Sequence, residues 1–155
     1  MEQQIKSYIE ELSELKNLNY KLITSQKGHN DIPQLKQNEM GIYIYIFERE
    51  FLKIGKCWSN SGTRWKYQHY NSCSTKSNLA KSIISDPEFC TKYNINLKDK
   101  VFIKNWIKNN TTRISIIIER GKSPQKEYFY LNLLEAWLHI KCNPKYEGYK
   151  SERQL

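Results

Sequence analysis

The stretch GIYIYIFEREFLKIGK, residues 41–56, sets Tyr43 in one apolar run and places Lys53 and Lys56 around a lone Gly55 in the next, with Arg64 a few residues on. Far downstream, LNLLEAWLHIKCNPKY puts a single carboxylate, Glu135, among Leu131, Leu134 and Leu138 at helical spacing. A charge in such company is costly unless it is paired or holds a metal ion. Arg64 falls near the expected start of a helix, where backbone N–H groups and a guanidinium can hold a phosphate together. A tyrosine, a lysine, an arginine and one isolated glutamate are the parts that metal-assisted phosphodiester hydrolysis requires. A base activates water, a cation stabilises the charge that builds on phosphorus, and a hard ion on one carboxylate steadies the leaving oxygen. The plainer account is a tyrosine packed in the core and a lysine that snorkels to water.

The elements that must position these groups can be read from periodicity. Residues 41–48 and 51–57 read as two strands. Tyr43, Tyr45 and Phe47 face one way on the first, Ile42, Ile44 and Ile46 the other. On the second, Phe51, Lys53 and Gly55 are expected to share a face, and Leu52, Ile54 and Lys56 the opposite one. A two-residue loop at Arg49–Glu50 would set Ile46 opposite Lys53 and Tyr43 beside Lys56. A three-residue loop, Glu48 to Glu50, would set Tyr45 opposite Lys53. Asn60, Ser61 and Thr63 can cap a short helix holding Arg64 to Tyr70. SNLAKSIISD reads as a second short helix ended by Pro87, and VFIKNWIKNN as a third. TRISIIIE is a β-branched third strand, and a long amphipathic helix covers 126–142 before Pro144. At the start, Ile5, Tyr8, Ile9, Leu12 and Leu15 mark an amphipathic helix over 4–17. It covers one side of the core or serves as a partner helix in a dimer. The expected fold is an α+β domain around a small, largely antiparallel three-stranded sheet flanked by helices.

Composition sets the limits. The 155 residues suit one domain, 1–155, with enough apolar content for a core. A net charge of +9 points to a polyanionic partner, nucleic acid or an acidic membrane surface. No apolar run approaches a membrane span, and the charged N-terminus has no signal-peptide core, so a cytoplasmic protein is expected. Cysteines 57, 73, 90 and 142 form no C-x-x-C pair. His69 and Cys73 lie four apart, but no second pair completes a zinc site, so free thiols are expected.

From Gly41 to about Gly148 the sequence resembles the GIY-YIG endonuclease family. GIY at 41–43 matches the first motif, and KIG at 53–55 stands where the family has Y-I-G or, in some restriction enzymes, Lys-Ile-Gly. Lys56 matches a lysine that follows that glycine in repair-type members. GTRW supplies the family arginine at Arg64, and LLEAWLHIKCNPKY matches the Leu-Glu helix with a later Pro144 and Tyr146. The resemblance implies a nuclease core over 41–148, preceded by a helical extension, 1–40. It implies that Tyr43 polarises or deprotonates the attacking water. Lys53 would be base or phosphate contact, with Lys56 a second candidate for that phosphate. Arg64 would bind the scissile phosphate, and Glu135 would be the sole protein ligand of Mg²⁺, for which Mn²⁺ can substitute. The family usually has His or Tyr four residues after the arginine, where this chain has Gln68. His69 is the preferred occupant of that role, and Tyr67 is the alternative. At Glu147 the family commonly has Asn.

The implied partner is DNA, in a prokaryotic or phage cytosol, with no membrane. The matched core has no separate DNA-binding module in this sequence, so its own surface must grip the duplex. Lys76, Lys81, Lys104 and Lys108, interleaved with amides and aromatics in 71–110, are the residues placed for that contact. A compact restriction-type endonuclease is expected, a homodimer if it cuts both strands. The alternatives are a repair or homing nuclease and a nucleic-acid-binding module that has kept the fold without the chemistry.

Overall fold

A computed structural model describes residues 1–12, 18–58, 61–73, 78–96, 100–121 and 124–146. Lys76, Glu147 and the expected continuation of the first helix to residue 17 lie outside them. In chain order the elements are α1 (Glu2–Glu10), β1 (Tyr20–Ser25), β2 (Glu39–Phe47), β3 (Glu50–Cys57), α2 (Gly62–Lys66), a 3₁₀ turn (Gln68–Tyr70), α3 (Leu79–Ile84), α4 (Pro87–Lys92), α5 (Lys100–Asn110), β4 (Thr111–Glu119) and α6 (Pro124–Cys142). The class is α+β, as expected. The sheet, however, has four strands in the order β1-β4-β2-β3, and every neighbouring pair is antiparallel.

The additional strand, β1, comes from the first forty residues, which are therefore not simply a helical extension. Its residues 20–25 pair with β4 from Tyr20↔Ile118 to Ser25↔Arg113. α1 closes over the same molecule: Ile5 and Ile9 are buried, and Trp137 Nε1 on α6 donates to the Tyr8 carbonyl at 2.8 Å.

β2 is buried along its whole length because both faces are covered, and its unbroken apolar sequence is what such a strand demands. Ile42, Ile44 and Ile46 join Ile114, Ile116 and Ile118 of β4 under α1 and α6, where Leu131, Leu134 and Leu138 meet them. Tyr43, Tyr45 and Phe47 face the opposite layer, built from α2 to α5 around Trp65, Tyr70, Phe89 and Trp106. Full burial of each large apolar side chain stabilises the fold by roughly 1.5–3 kcal/mol, so neither layer is expendable.

The hairpin turn is Glu48–Arg49, and Glu48 takes the left-handed φ of 55° that a tight hairpin requires. Phe47 pairs with Glu50 and Ile46 with Phe51. The register then skips Leu52, so that Tyr45 faces Lys53. A two-residue turn plus a β-bulge thus reaches the pairing expected of a three-residue loop. The bulge corrects one expectation. Phe51 packs on the α6 side with Ile46, whereas Leu52 joins the tyrosine layer.

Two helix starts follow local chemistry. Asn78 Oδ1 accepts from Lys81 N at 2.9 Å to cap α3, and Asp86 Oδ1 accepts from Phe89 N at 2.9 Å to cap α4. Pro87, expected only to end a helix, also begins α4, where its fixed φ suits the first turn. The four cysteines are free. No described helix is long and apolar enough to cross a membrane.

Candidate active site at the edge of the sheet

Tyr43 stands opposite Gly55 on β3, the edge strand next to β2. Its ring lies over that glycine. A Cβ at residue 55 would come within 2.6 Å of Tyr43 Cζ and closer still to the hydroxyl. Only glycine therefore lets the phenol cross β3 toward the edge. Gly41 does the same for Trp65, whose ring would meet a Cβ there at 2.6 Å. The two glycines of the resembling motifs are thus seats for two aromatic rings.

α2 brings Arg64 to the phenol. Burial works against the Arg64 charge, but Tyr43, Cys57 and Glu135 lie close enough to outweigh it and hold the guanidinium above its ordinary pKa. The Tyr43 hydroxyl is itself buried and makes no geometrically close hydrogen bond among the described residues. Burial raises its pKa far above the ordinary phenol value, and Arg64 opposes that rise only in part. At neutral pH Tyr43 is a neutral phenol beside a cation.

α6 supplies Glu135, one position from the buried Leu134, at the rim of the apolar layer. Its Oε2 is paired with Lys56 Nζ, whose strand position faces the α6 side of β3. Their side chains are 20% and 28% exposed, so the pair sits at the surface of the layer and not within it. Tyr43 thus meets Arg64, Arg64 lies within electrostatic reach of Glu135, and Glu135 pairs with Lys56, a chain of links across one end of β3 drawn from two strands and two helices. The other end is closed by residues 145–146, whose Lys145 and Tyr146 N–H groups donate to Phe51 and Leu52 carbonyls at 2.8 Å.

Lys53 is placed differently. It is buried on the tyrosine layer, opposite Tyr45, and its Nζ donates to the Tyr146 carbonyl at 3.0 Å. Of the two lysines weighed for the phosphate, Lys56 is the one that joins Glu135.

His69 is 1% exposed, and its ring centroid lies 4.2 Å from that of Tyr43. The expected helix over Arg64–Tyr70 breaks at Tyr67, whose φ of −125° ends α2 and starts the 3₁₀ turn. That break carries His69 inward and leaves Tyr67 66% exposed, so His69 and not Tyr67 stands beside Tyr43. Burial first, then the charges of Lys53, Arg113 and Arg64, push the His69 pKa well below its ordinary value. It is a neutral imidazole, and neither ring nitrogen has a hydrogen-bond partner among the described residues.

The sequence reading missed two buried polar side chains behind this site. Arg113 on β4 is fully buried opposite Tyr45. It donates to the Trp65 carbonyl at 2.7 Å and stacks 4.5 Å from the Trp65 ring. His29, in the loop after β1, accepts at Nδ1 from the Tyr70 hydroxyl and donates from Nε2 to the Thr111 carbonyl, both at 2.8 Å. The carbonyl can only accept, which fixes the neutral tautomer. The available signal for Arg113 was its phase in TRISIIIE, where Arg113 and Ser115 alternate with isoleucines. His29 had none.

Of the lysines expected to contact DNA, Lys104 is exposed, and Lys81 and Lys108 are half-buried. Lys76 lies outside the described residues.

Among the described residues no three His, Cys, Asp or Glu side chains gather as a metal-binding group. A metal at this edge would rest on Glu135 alone. That donor set fits Mg²⁺, which keeps most of its water and takes one or two carboxylates plus phosphate oxygens. No family model, curated protein or solved structure matches the chain.

Proposed function

We propose that this protein is a metal-dependent DNA endonuclease that hydrolyses phosphodiester bonds, a compact restriction-type enzyme of the GIY-YIG kind. One observation carries the reading: residues remote in sequence are linked across one end of β3, Tyr43 to Arg64, Arg64 to Glu135 and Glu135 to Lys56.

The roles follow from the charge states. Tyr43, neutral at rest, orients the attacking water through its hydroxyl oxygen, and Arg64 beside it stabilises any phenolate character that proton transfer creates. Arg64 and Lys56 face the negative charge of the phosphate. His69, neutral and packed on the Tyr43 ring, fixes the direction of the phenol. Lys53 is a positioning residue that ties β3 to the Tyr146 carbonyl. Glu135 would hold Mg²⁺, or Mn²⁺ in its place, and a bound ion would supply charge stabilisation at the phosphate and leaving oxygens.

The Lys56–Glu135 pair favours a second reading, a nucleic-acid-binding module that does no chemistry, because the one carboxylate is already neutralised. Nicking of supercoiled plasmid with Mg²⁺, compared with EDTA, separates the two. Metal-dependent nicking supports the enzyme, and binding without nicking in Mg²⁺ and Mn²⁺ supports the module.

A further inference from the structure

Away from the Tyr43 group, a cleft of 520 Å³ opens between α5 and the segment that follows α2. That size falls within the ~300–1,000 Å³ of small-ligand sites. One wall is the side of α5 that carries Val101, Lys104 and Lys108, whose spacing sets them on one helix face. The other wall carries Lys66 and Tyr67, and Tyr70 with His29 lies beneath. Lys108 Nζ stands 5.7 Å from the Tyr70 ring centre.

Among the described residues no aspartate or glutamate lines this cleft, and none of its three lysines is ion-paired. Three ammonium groups around one hollow repel one another until an anion enters. The His29 beneath adds no charge: burial foremost, with Arg113 and Lys108, draws its pKa down to about 4 despite the Thr111 carbonyl. An inorganic anion would satisfy the lysines but would leave the aromatic wall in water. Tyr67 is two-thirds exposed, with its large ring at the lining. Cations interleaved with an open aromatic face match a ligand that is part phosphate and part planar ring.

We infer that the cleft is a non-catalytic site for a nucleoside phosphate unit, with the base against Tyr67 and the phosphate among Lys66, Lys104 and Lys108. The site does not require the cleavage chemistry and stands even if the Tyr43 group is silent. The unit can belong to an unpaired nucleotide of a strand or to a free nucleotide.

The test is fluorescence anisotropy of a short labelled oligothymidylate in EDTA, where cleavage plays no part, with thymidine monophosphate and inorganic phosphate as competitors. Tyr67→Ala should weaken binding about tenfold, and Tyr67→Trp should retain it, since stacking tolerates any aromatic ring. Lys104→Ala/Lys108→Ala should weaken binding more than Lys6→Ala/Lys21→Ala, an equal loss of charge elsewhere on the surface. Competition by the monophosphate that is lost in Tyr67→Ala assigns the site to a free nucleotide. Competition by oligonucleotide alone assigns it to a strand. Tyr67→Ala binding as tightly as wild type, or equal losses from the two lysine pairs, would overturn the proposal. Melting curves of the same variants confirm that each is folded.

Discussion

The phenol of Tyr43 crosses the edge strand over Gly55, in space that any side chain at residue 55 would fill. This single exchange of volume lets a buried tyrosine extend beneath the edge strand to Arg64, which lies within electrostatic reach of Glu135.

Gly55→Ala should therefore damage both stability and cleavage. Forcing a methyl against the Tyr43 ring should lower stability by about 1–3 kcal/mol in urea unfolding. Displacing the hydroxyl by about an ångström should cost roughly a hundredfold in plasmid nicking. An alanine variant that nicks at the wild-type rate would show that the phenol does not act from this position.

Lys56→Ala tests the ion pair on the rim. With both side chains partly in water, its loss should change stability by no more than about 1 kcal/mol. Nicking should fall roughly tenfold to a hundredfold as one cation facing the phosphate is removed. A large drop in melting temperature with unchanged nicking would assign Lys56 to structure.

Much of this architecture is legible in the sequence because period and burial agree. The alternation of Tyr43, Tyr45 and Phe47 with Ile42, Ile44 and Ile46 is reproduced in two separate layers. Leu131, Leu134 and Leu138 bury together on α6 as their spacing requires. The failures have physical causes. β1 alternates Tyr20 and Leu22 with Lys21, but it is a half-covered edge strand whose pattern is diluted by exposure. The bulge at Leu52 is a matter of pairing, which no period within one strand records. Within the candidate site, residue types were readable and depth was not. Lys53 and Lys56 look alike in KIGK, yet one is buried toward Tyr146 and the other paired with Glu135.

Arg113 makes a prediction about the floor of the site. Its planar group stacks on Trp65 and donates to the Trp65 carbonyl, geometry that a lysine cannot reproduce. Arg113→Lys should lose about 1.5–3 kcal/mol of stability. Arg113→Met, which leaves no buried charge, should be the more stable of the two variants by chemical denaturation. A lysine variant as stable as wild type would remove the stacking account.

His29 contributes to the acid limb of stability, alongside His69, whose pKa burial also holds well below its ordinary value. Folded, it stays neutral down to about pH 4, whereas unfolded it takes a proton near pH 6.5. The unfolded state thus binds more protons between these values, and stability falls as pH drops from about 6.5 to 4, by up to ~3 kcal/mol. Above pH 6.5 the group contributes no slope. Asparagine tolerates the left-handed φ of 49° at this position, so His29→Asn keeps the backbone while removing the titration. Its stability should decline less than wild type across that window in pH-dependent thermal melts. Parallel curves for the two proteins would show that another group governs the acid limb.

The central claim is that Glu135 serves chemistry, and Glu135→Gln tests it most directly, because the change removes charge while keeping shape. The measurement is Mg²⁺-dependent nicking of supercoiled plasmid by wild type and variant, with DNA affinity and melting temperature taken on the same samples. The account predicts nicking by the wild type and a fall of at least about a thousandfold in the variant, as expected when a metal's only protein ligand is lost. DNA affinity should be kept or increased, since one repulsion with phosphate is relieved, and stability should stay within about 1 kcal/mol. A variant that nicks like wild type, or a wild type inert in both Mg²⁺ and Mn²⁺ with a variant that melts early, would contradict it.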